Sequence, residues 1–240
     1  MTDALAQTLT QVMAQAISPD VGQAASQAVG QAAAQLDMPA LMALAGALGW
    51  ASGFRLYAVV FLVGGLGALG WLPLPSGLQV LQHPAMLGAS GLMLALEFLA
   101  DKIPGVDSLW DIVNSVLRVP AGAALAAGVF GADGSTMAWV AALLGGGLAV
   151  TAQAAKTTTR AAINTSPEPF SNVAASLFED GLVIAIVWLA TQHPLAFGVL
   201  LVFAVLAMWA VVWMLFRFLR AVWRRLTGAW GKSEQKGRLT

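Results

Sequence analysis

Apolar residues run along this chain in long blocks, broken at short intervals by Pro, Gly and small polar groups. Six blocks stand out, over residues 39–70, 84–103, 106–131, 136–162, 169–191 and 194–222. A helix crosses the hydrocarbon of a bilayer with about 20 residues, so each block is long enough to be a transmembrane span. Blocks two and three are apolar over only part of their length, and the rest must face protein or water. Residues 1–38 differ. They are rich in Ala and Gln, carry apolar residues at helical spacing (Leu5, Leu9, Val12, Ala16) and are divided by Pro19. They read as a poorly ordered or weakly amphipathic extension, or as a helix lying on the membrane or on a neighbouring subunit. The predicted organisation is an extension over 1–38, a transmembrane bundle over 39–222 and a basic cytoplasmic tail over 223–240. The fold class is an all-α integral membrane protein.

Composition agrees. Hydrophobic residues make up 58% and charged residues 10%, too few charges to coat a soluble surface. No cysteine is present, which removes disulfides and thiol chemistry. The net charge of zero hides an asymmetry. No Lys or Arg precedes Arg55, whereas seven bases and one acid lie from Arg217 onward. The loops near 71–83, 132–135 and 192–193 lack bases, and those near Lys102 and Arg160 have them. The positive-inside rule then puts the base-free loops outside and both chain ends in the cytoplasm. The basic tail is explained by orientation, and nucleic acid is not an expected partner.

Charges inside spans carry the functional signal, because an ionised side chain at a helix centre costs about 2.5–3.5 kcal/mol on insertion scales. Arg55 stands midway along the first block. Glu97 and Asp101 share one helical face. Asp107, Asp111, Asn114 and Arg118 form one stripe, and Gln153, Lys156, Arg160 and Asn164 another. Asn172, Ser176 and Glu179 form a third, with Asp180 beside it. Lipid accepts none of these faces, so they are expected to converge on one site. The site would bind an ion or small polar solute: carboxylates for a cation or proton, bases for charge balance or an anion. Glu97 and Glu179 are expected in one polar cavity with at least one of Arg55, Lys156 and Arg160. The same charges could instead form a structural salt-bridge network.

Other features are weaker. The breaks Ile103-Pro104-Gly105 and Ser166-Pro-Glu-Pro-Phe170 should end one helix and open another; the second offers a helix N-terminus to an anion. His83 and His193, each in Gln-His-Pro, read as helix starts. Gly49-Trp-Ala-Ser-Gly53, Gly145-Gly-Gly147 and Ala124 with Gly128 are close-approach faces that could assemble a homo-oligomer. Gly46 to Arg55 resembles Gly147 to Lys156, and each is followed by an acidic pair, which suggests two inverted three-helix repeats. No hydrolase, kinase or metalloprotease motif occurs. The chain is read as a non-enzyme without a cofactor, and no metal is assigned.

The segments Glu97-Phe-Leu-Ala-Asp-Lys-Ile-Pro-Gly-Val-Asp107, Arg118-Val-Pro120, Lys156 to Asn172 and Ser176-Leu-Phe-Glu-Asp180 together resemble a bacterial family of small multi-pass membrane proteins, a domain of unknown function (four-one-two-six), over about residues 40–210. That resemblance implies a membrane fold in the bacterial inner membrane and brings no activity. A looser likeness is to cation/proton exchangers bearing E-x-G-D-K/R-S/T. Here Glu97 and Asp101 are one residue further apart, Ala100 replaces glycine, and Ile103 stands where a hydroxyl belongs. The function expected is a small transporter or channel-like permease. The alternative is a non-transporting envelope scaffold or lipid-interacting protein.

Overall fold

The computed structural model describes residues 37–103, 106–131, 135–164 and 169–237. Nearly all are helical: α1 (Met38–Ala68), a 3-10 helix (Ser76–Gln82), α2 (Pro84–Ala100), α3 (Val106–Val129), α4 (Thr136–Ile163), α5 (Pro169–Gln192) and α6 (Pro194–Gly237). Strands are absent among the described residues. Five described helices are long and apolar enough to cross a membrane, or six if the 3-10 helix and α2, bent by 68°, count as one broken span. The protein is thus a multi-pass, all-helical membrane protein. Most of the N-terminal extension, and the Ser166 capping motif, lie outside the described residues.

Local chemistry sets the helix starts. Asp37 caps α1 by accepting from Ala40 N at 3.1 Å, Ser135 caps α4 through Ala138 N at 3.2 Å, and His83 Nδ1 accepts from Ala85 N at 3.2 Å. Each cap satisfies an orphan donor of the first turn. His83 therefore begins a helix, as its Gln-His-Pro context suggests. His193 stacks edge-on against Trp188.

The unexpected element is α1. Arg55 has non-helical dihedrals (φ −146°, ψ 83°) in its middle, and the two halves of the helix run in opposite directions. Along the first half, Gly46 meets Phe197 and Leu201 of α6, Gly49 meets Gly145 of α4, and Gly53 meets Ala149 and Ala152. It therefore runs parallel to α4 and α6. Along the second half, Ala58, Phe61 and Leu62 share a groove with Asp180, Val183 and Ile184 of α5. Gly91 of α2 faces Phe61, and Gly64 faces Leu81 and Leu87. That half runs with α5 and against α2, back towards the end where α1 began. Arg55 is the apex of a re-entrant helical hairpin.

This changes the expected topology. The starts of α1, α4 and α6 and the end of α3 gather at one end of the bundle, around a cavity of about 620 Å³ lined by Met42, Phe130, Met137 and Pro194. It is the end whose loops carry no base. α6 leaves towards the other end, which carries Lys102 and Arg160. Met38 and the far end of α6 thus lie on opposite ends of the bundle, and the chain ends themselves, whose shared side was expected, lie outside the described residues. One extra reversal, at Arg55, accounts for the change. The segments 46–55 and 147–156 run side by side in the same direction, so they do not have the opposed directions that an inverted repeat requires.

Packing explains why α1 can reverse inside the bundle. It touches every other helix, and residues 47–56 are buried throughout. Non-helical backbone at membrane depth is tolerated where protein surrounds it. Of the glycines expected to join copies, Gly49, Gly53, Gly128 and Gly145 pack within the chain, while Gly147 faces open space. A Cβ on Gly49 would overlap the backbone of Gly145, and one on Gly53 the carbonyl of Ala149. α6 is peripheral, with Leu195, Phe203, Leu206, Trp209, Trp213 and Phe216 exposed, an apolar surface suited to lipid.

Candidate functional site: a buried charge cluster at the hairpin apex

α4 rises about 1.5 Å per residue, so Lys156 lies roughly 30 Å from its start. At that depth the apex of α1, the end of α2, the first turns of α3, the last turns of α4 and the beginning of α5 meet. The sequence stripes converge here. Arg55 Nη2 is 2.7 Å from Asp101 Oδ2 and also meets Ser176 Oγ, which donates to the same carboxylate oxygen at 2.9 Å. Arg55 Nε is 3.0 Å from Asp180 Oδ1 and 3.6 Å from Glu179 Oε2. Arg118 donates to Glu97 Oε1 at 2.5 Å, to Asp111 Oδ1 at 2.9 Å and to Gln153 Oε1 at 2.9 Å.

Lys156 is the hub. Its Nζ is 3.1 Å from Asp111 Oδ1, 3.1 Å from Glu179 Oε2 and 3.5 Å from Glu97 Oε1. It also donates to the carbonyl of Phe54 at 3.1 Å, so the backbone next to the break has a charged donor. Arg160 lies 3.5 Å from both Glu179 oxygens and 3.6 Å from Asp101, and donates to the backbone and side-chain oxygens of Asn172. Asn172 in turn donates to Asn164 at 2.9 Å.

Glu97 and Glu179 thus share Lys156. The expectation was one polar cavity holding both, and neither lines the cavities described among these residues. Asn114 stands apart from the charges, accepting from Tyr57 OH at 2.7 Å and donating to Trp110 O at 2.8 Å. The side chain of Asp107 lies outside the described residues. Gln153 takes its place from a recognised stripe. Two contributors were not among the candidates. Tyr57, the only tyrosine, lies two residues past Arg55 and could have been found on that ground. The Phe54 carbonyl has no sequence signal, because its role depends on the break.

Among the described residues the cluster joins five carboxylates (Glu97, Asp101, Asp111, Glu179, Asp180) with four bases (Arg55, Arg118, Lys156, Arg160) through ion pairs within 4.0 Å. All are buried except Asp180, whose side chain is 31% exposed. Glu97 Oε2, Asp101 Oδ1 and Asp111 Oδ2 are buried without a hydrogen-bond donor. Acids and bases interleave, and no group of three or more Asp, Glu or His among the described residues is arranged to hold a metal ion. The arrangement can hold one further positive charge. A buried ion without compensation is costly, and one carboxylate here exceeds the bases that face it.

The family model for "Domain of unknown function (DUF4126)" matches residues 41–215. The chain belongs to this family. The matched region takes in every charge of the cluster and both halves of the α1 hairpin, and stops before the basic tail. The DUF4126 region is therefore the helical bundle itself. No curated protein and no solved structure matches the chain.

Proposed function

We propose that this DUF4126 protein is a small transporter that moves a cation or proton, with the charge cluster as its binding site and no catalytic step. The observation that carries the reading is the surplus carboxylate among the described residues: five acids, four of them buried, face four buried bases at the apex of a hairpin that enters and leaves by the same end. A scaffold is most stable with matched charges or none, since replacing buried ion pairs by apolar packing is often neutral or stabilising. A site that takes up and releases a positive charge needs the imbalance. Transporters place such sites at breaks in helices near the membrane interior. In this reading the ion-paired cluster is an occluded state.

The proposed setting is the bacterial inner membrane, with the charged end and the tail of α6 in the cytoplasm and Met38 at the outer end. A reporter fused after residue 240 should read cytoplasmic, and a tag inserted at residue 37 should be labelled from outside. Labelling of both from one side would overturn this orientation.

The decisive test is flux. Purified protein in lipid vesicles should conduct protons, alkali cations or tetraphenylphosphonium above the level of empty vesicles. Glu97→Gln and Glu179→Gln should abolish that flux while the protein remains monodisperse, because Gln keeps the shape and loses the charge. One observation favours a second reading, a structural lock: Glu97 is wholly buried between Arg118 and Lys156. A lock predicts no flux from the unaltered protein and a large loss of thermal stability in Glu97→Gln, and that pair of results would end the transporter reading.

A further inference from the structure

Asp180 is the one carboxylate of the cluster that reaches a surface. Its Oδ1 is buried against Arg55 Nε at 3.0 Å, while the side chain as a whole is 31% exposed and lines a groove of about 430 Å³. The walls come from the second half of α1, from α2 and from α5. They are apolar: Ala58, Phe61, Leu62, Leu94, Phe98 and Ile184 are among them, and Asp180 is the only ionisable lining residue. Phe61 and Ile184 are themselves exposed at the rim. The groove therefore opens sideways, through the flank that faces lipid.

Such a groove suits a molecule with an apolar body and one charge, and the sign of that charge is set by the cluster behind it. The one ionisable lining group is a carboxylate, and among the described residues the cluster to which it belongs carries one acid more than bases. An anion would meet Asp180 directly. A cation would meet it with Phe61 and Phe98 alongside, whose ring faces favour positive charge. Phe98 already does so for Lys102, whose Nζ stands 4.2 Å from the ring centroid and is not part of the groove lining. We infer that this groove binds a hydrophobic organic cation of single charge, which enters from the membrane flank and sets its charge on the outer edge of the Asp180 carboxylate. The inference rests on the transporter reading, for which it names the substrate class.

Tetraphenylphosphonium and tetraphenylborate share a shape and differ in the sign of their charge. Titration of each into the purified full chain in a non-ionic detergent, with the micelle signal subtracted, separates charge from greasiness. Tetraphenylphosphonium should bind saturably at one site per chain. Asp180→Asn should weaken it at least about tenfold, and tetraphenylborate should not show saturable binding. Ala95→Trp fills the groove from an exposed position on α2 without touching the cluster, and should also weaken binding about tenfold in protein that elutes as the unaltered chain does. Absence of saturable binding, equal binding of the two probes, or binding unchanged in Ala95→Trp would overturn the inference and leave the groove to lipid chains. Proton or alkali-cation flux without phosphonium binding would remove only this inference. Phosphonium binding without any flux would remove the transporter reading and leave the site.

Discussion

Two adjoining layers of the bundle hold the same helices together by opposite means. In the layer nearer the base-free end, α1, α3 and α4 meet through Gly49, Gly53, Gly122 and Gly145, backbone against backbone. In the layer beneath, the same three helices, with α2 and α5, meet through long charged side chains. The glycine layer admits one arrangement, since a Cβ on Gly49 or Gly53 would overlap main-chain atoms, one on Gly122 the Ser52 hydroxyl, and one on Gly145 the Ala126 methyl. The charge layer admits several. Lys156 lies within 4.0 Å of three carboxylates, and Glu179 faces three bases. A pair can exchange partners there without moving a helix. Rigidity and exchange sit side by side because α1 reverses at the boundary, where Gly53 belongs to one layer and Arg55 to the other.

The sharpest way to break this contrast is at its rigid member. Gly53→Leu should abolish the folded state, read as loss of monodisperse protein on size exclusion, because its Cβ would overlap the Ala149 carbonyl and the Ala152 methyl. If the variant folded normally, the glycine layer would not be fixed. Next in size is Arg118→Met, which strips Glu97 and Asp111 of their closest donor. A buried pair broken on one side costs about 3–5 kcal/mol, so the midpoint of thermal unfolding should fall markedly. Adding Glu97→Gln to it should restore part of the loss, and failure to do so would mean the two side chains do not act as a pair. Asp180→Asn lies at the accessible edge of the cluster and should cost under about 1 kcal/mol in the same unfolding assay. A cost as large as that of Arg118→Met would make the edge as rigid as the centre. The smallest effect belongs to Gly147→Ala. Nothing lies within 4 Å of the added methyl, and replacing a mid-helix glycine gains about 0.5–1 kcal/mol. A loss of stability there would show that α4 is packed on both faces.

Much of this was legible in the chain, because the signals are local. Hydrocarbon thickness fixes helix length, so the apolar blocks placed the helices within a few residues, except that α6 continues well past its block, to Gly237. Helical spacing then aligned Asp111 with Arg118 and Gln153 with Lys156 and Arg160, and lipid leaves such stripes nowhere to go but inward. The positive-inside bias separated the two kinds of loop, and both kinds do lie at different ends of the bundle. Motif content identified the family. What could not be read was any consequence of the reversal at Arg55. One residue in an extended conformation, far from the run's only proline at Pro39, leaves no trace in periodicity.

The sequence by itself determined the helices, the polar faces and the membrane setting, since each follows from the cost of exposing polar backbone or charge to hydrocarbon. Only the tertiary structure decided that α1 turns back, that Met38 and the end of α6 lie on opposite ends, that Gly49, Gly53, Gly128 and Gly145 are spent within the chain, and that Asp180 alone of five carboxylates reaches a groove. Those outcomes depend on which surfaces fit one another across distant segments. A Gly53 that fits only against Ala149, and a Phe54 carbonyl that finds Lys156 102 residues away, make the reversal stable. No property of either residue taken alone contains that fit.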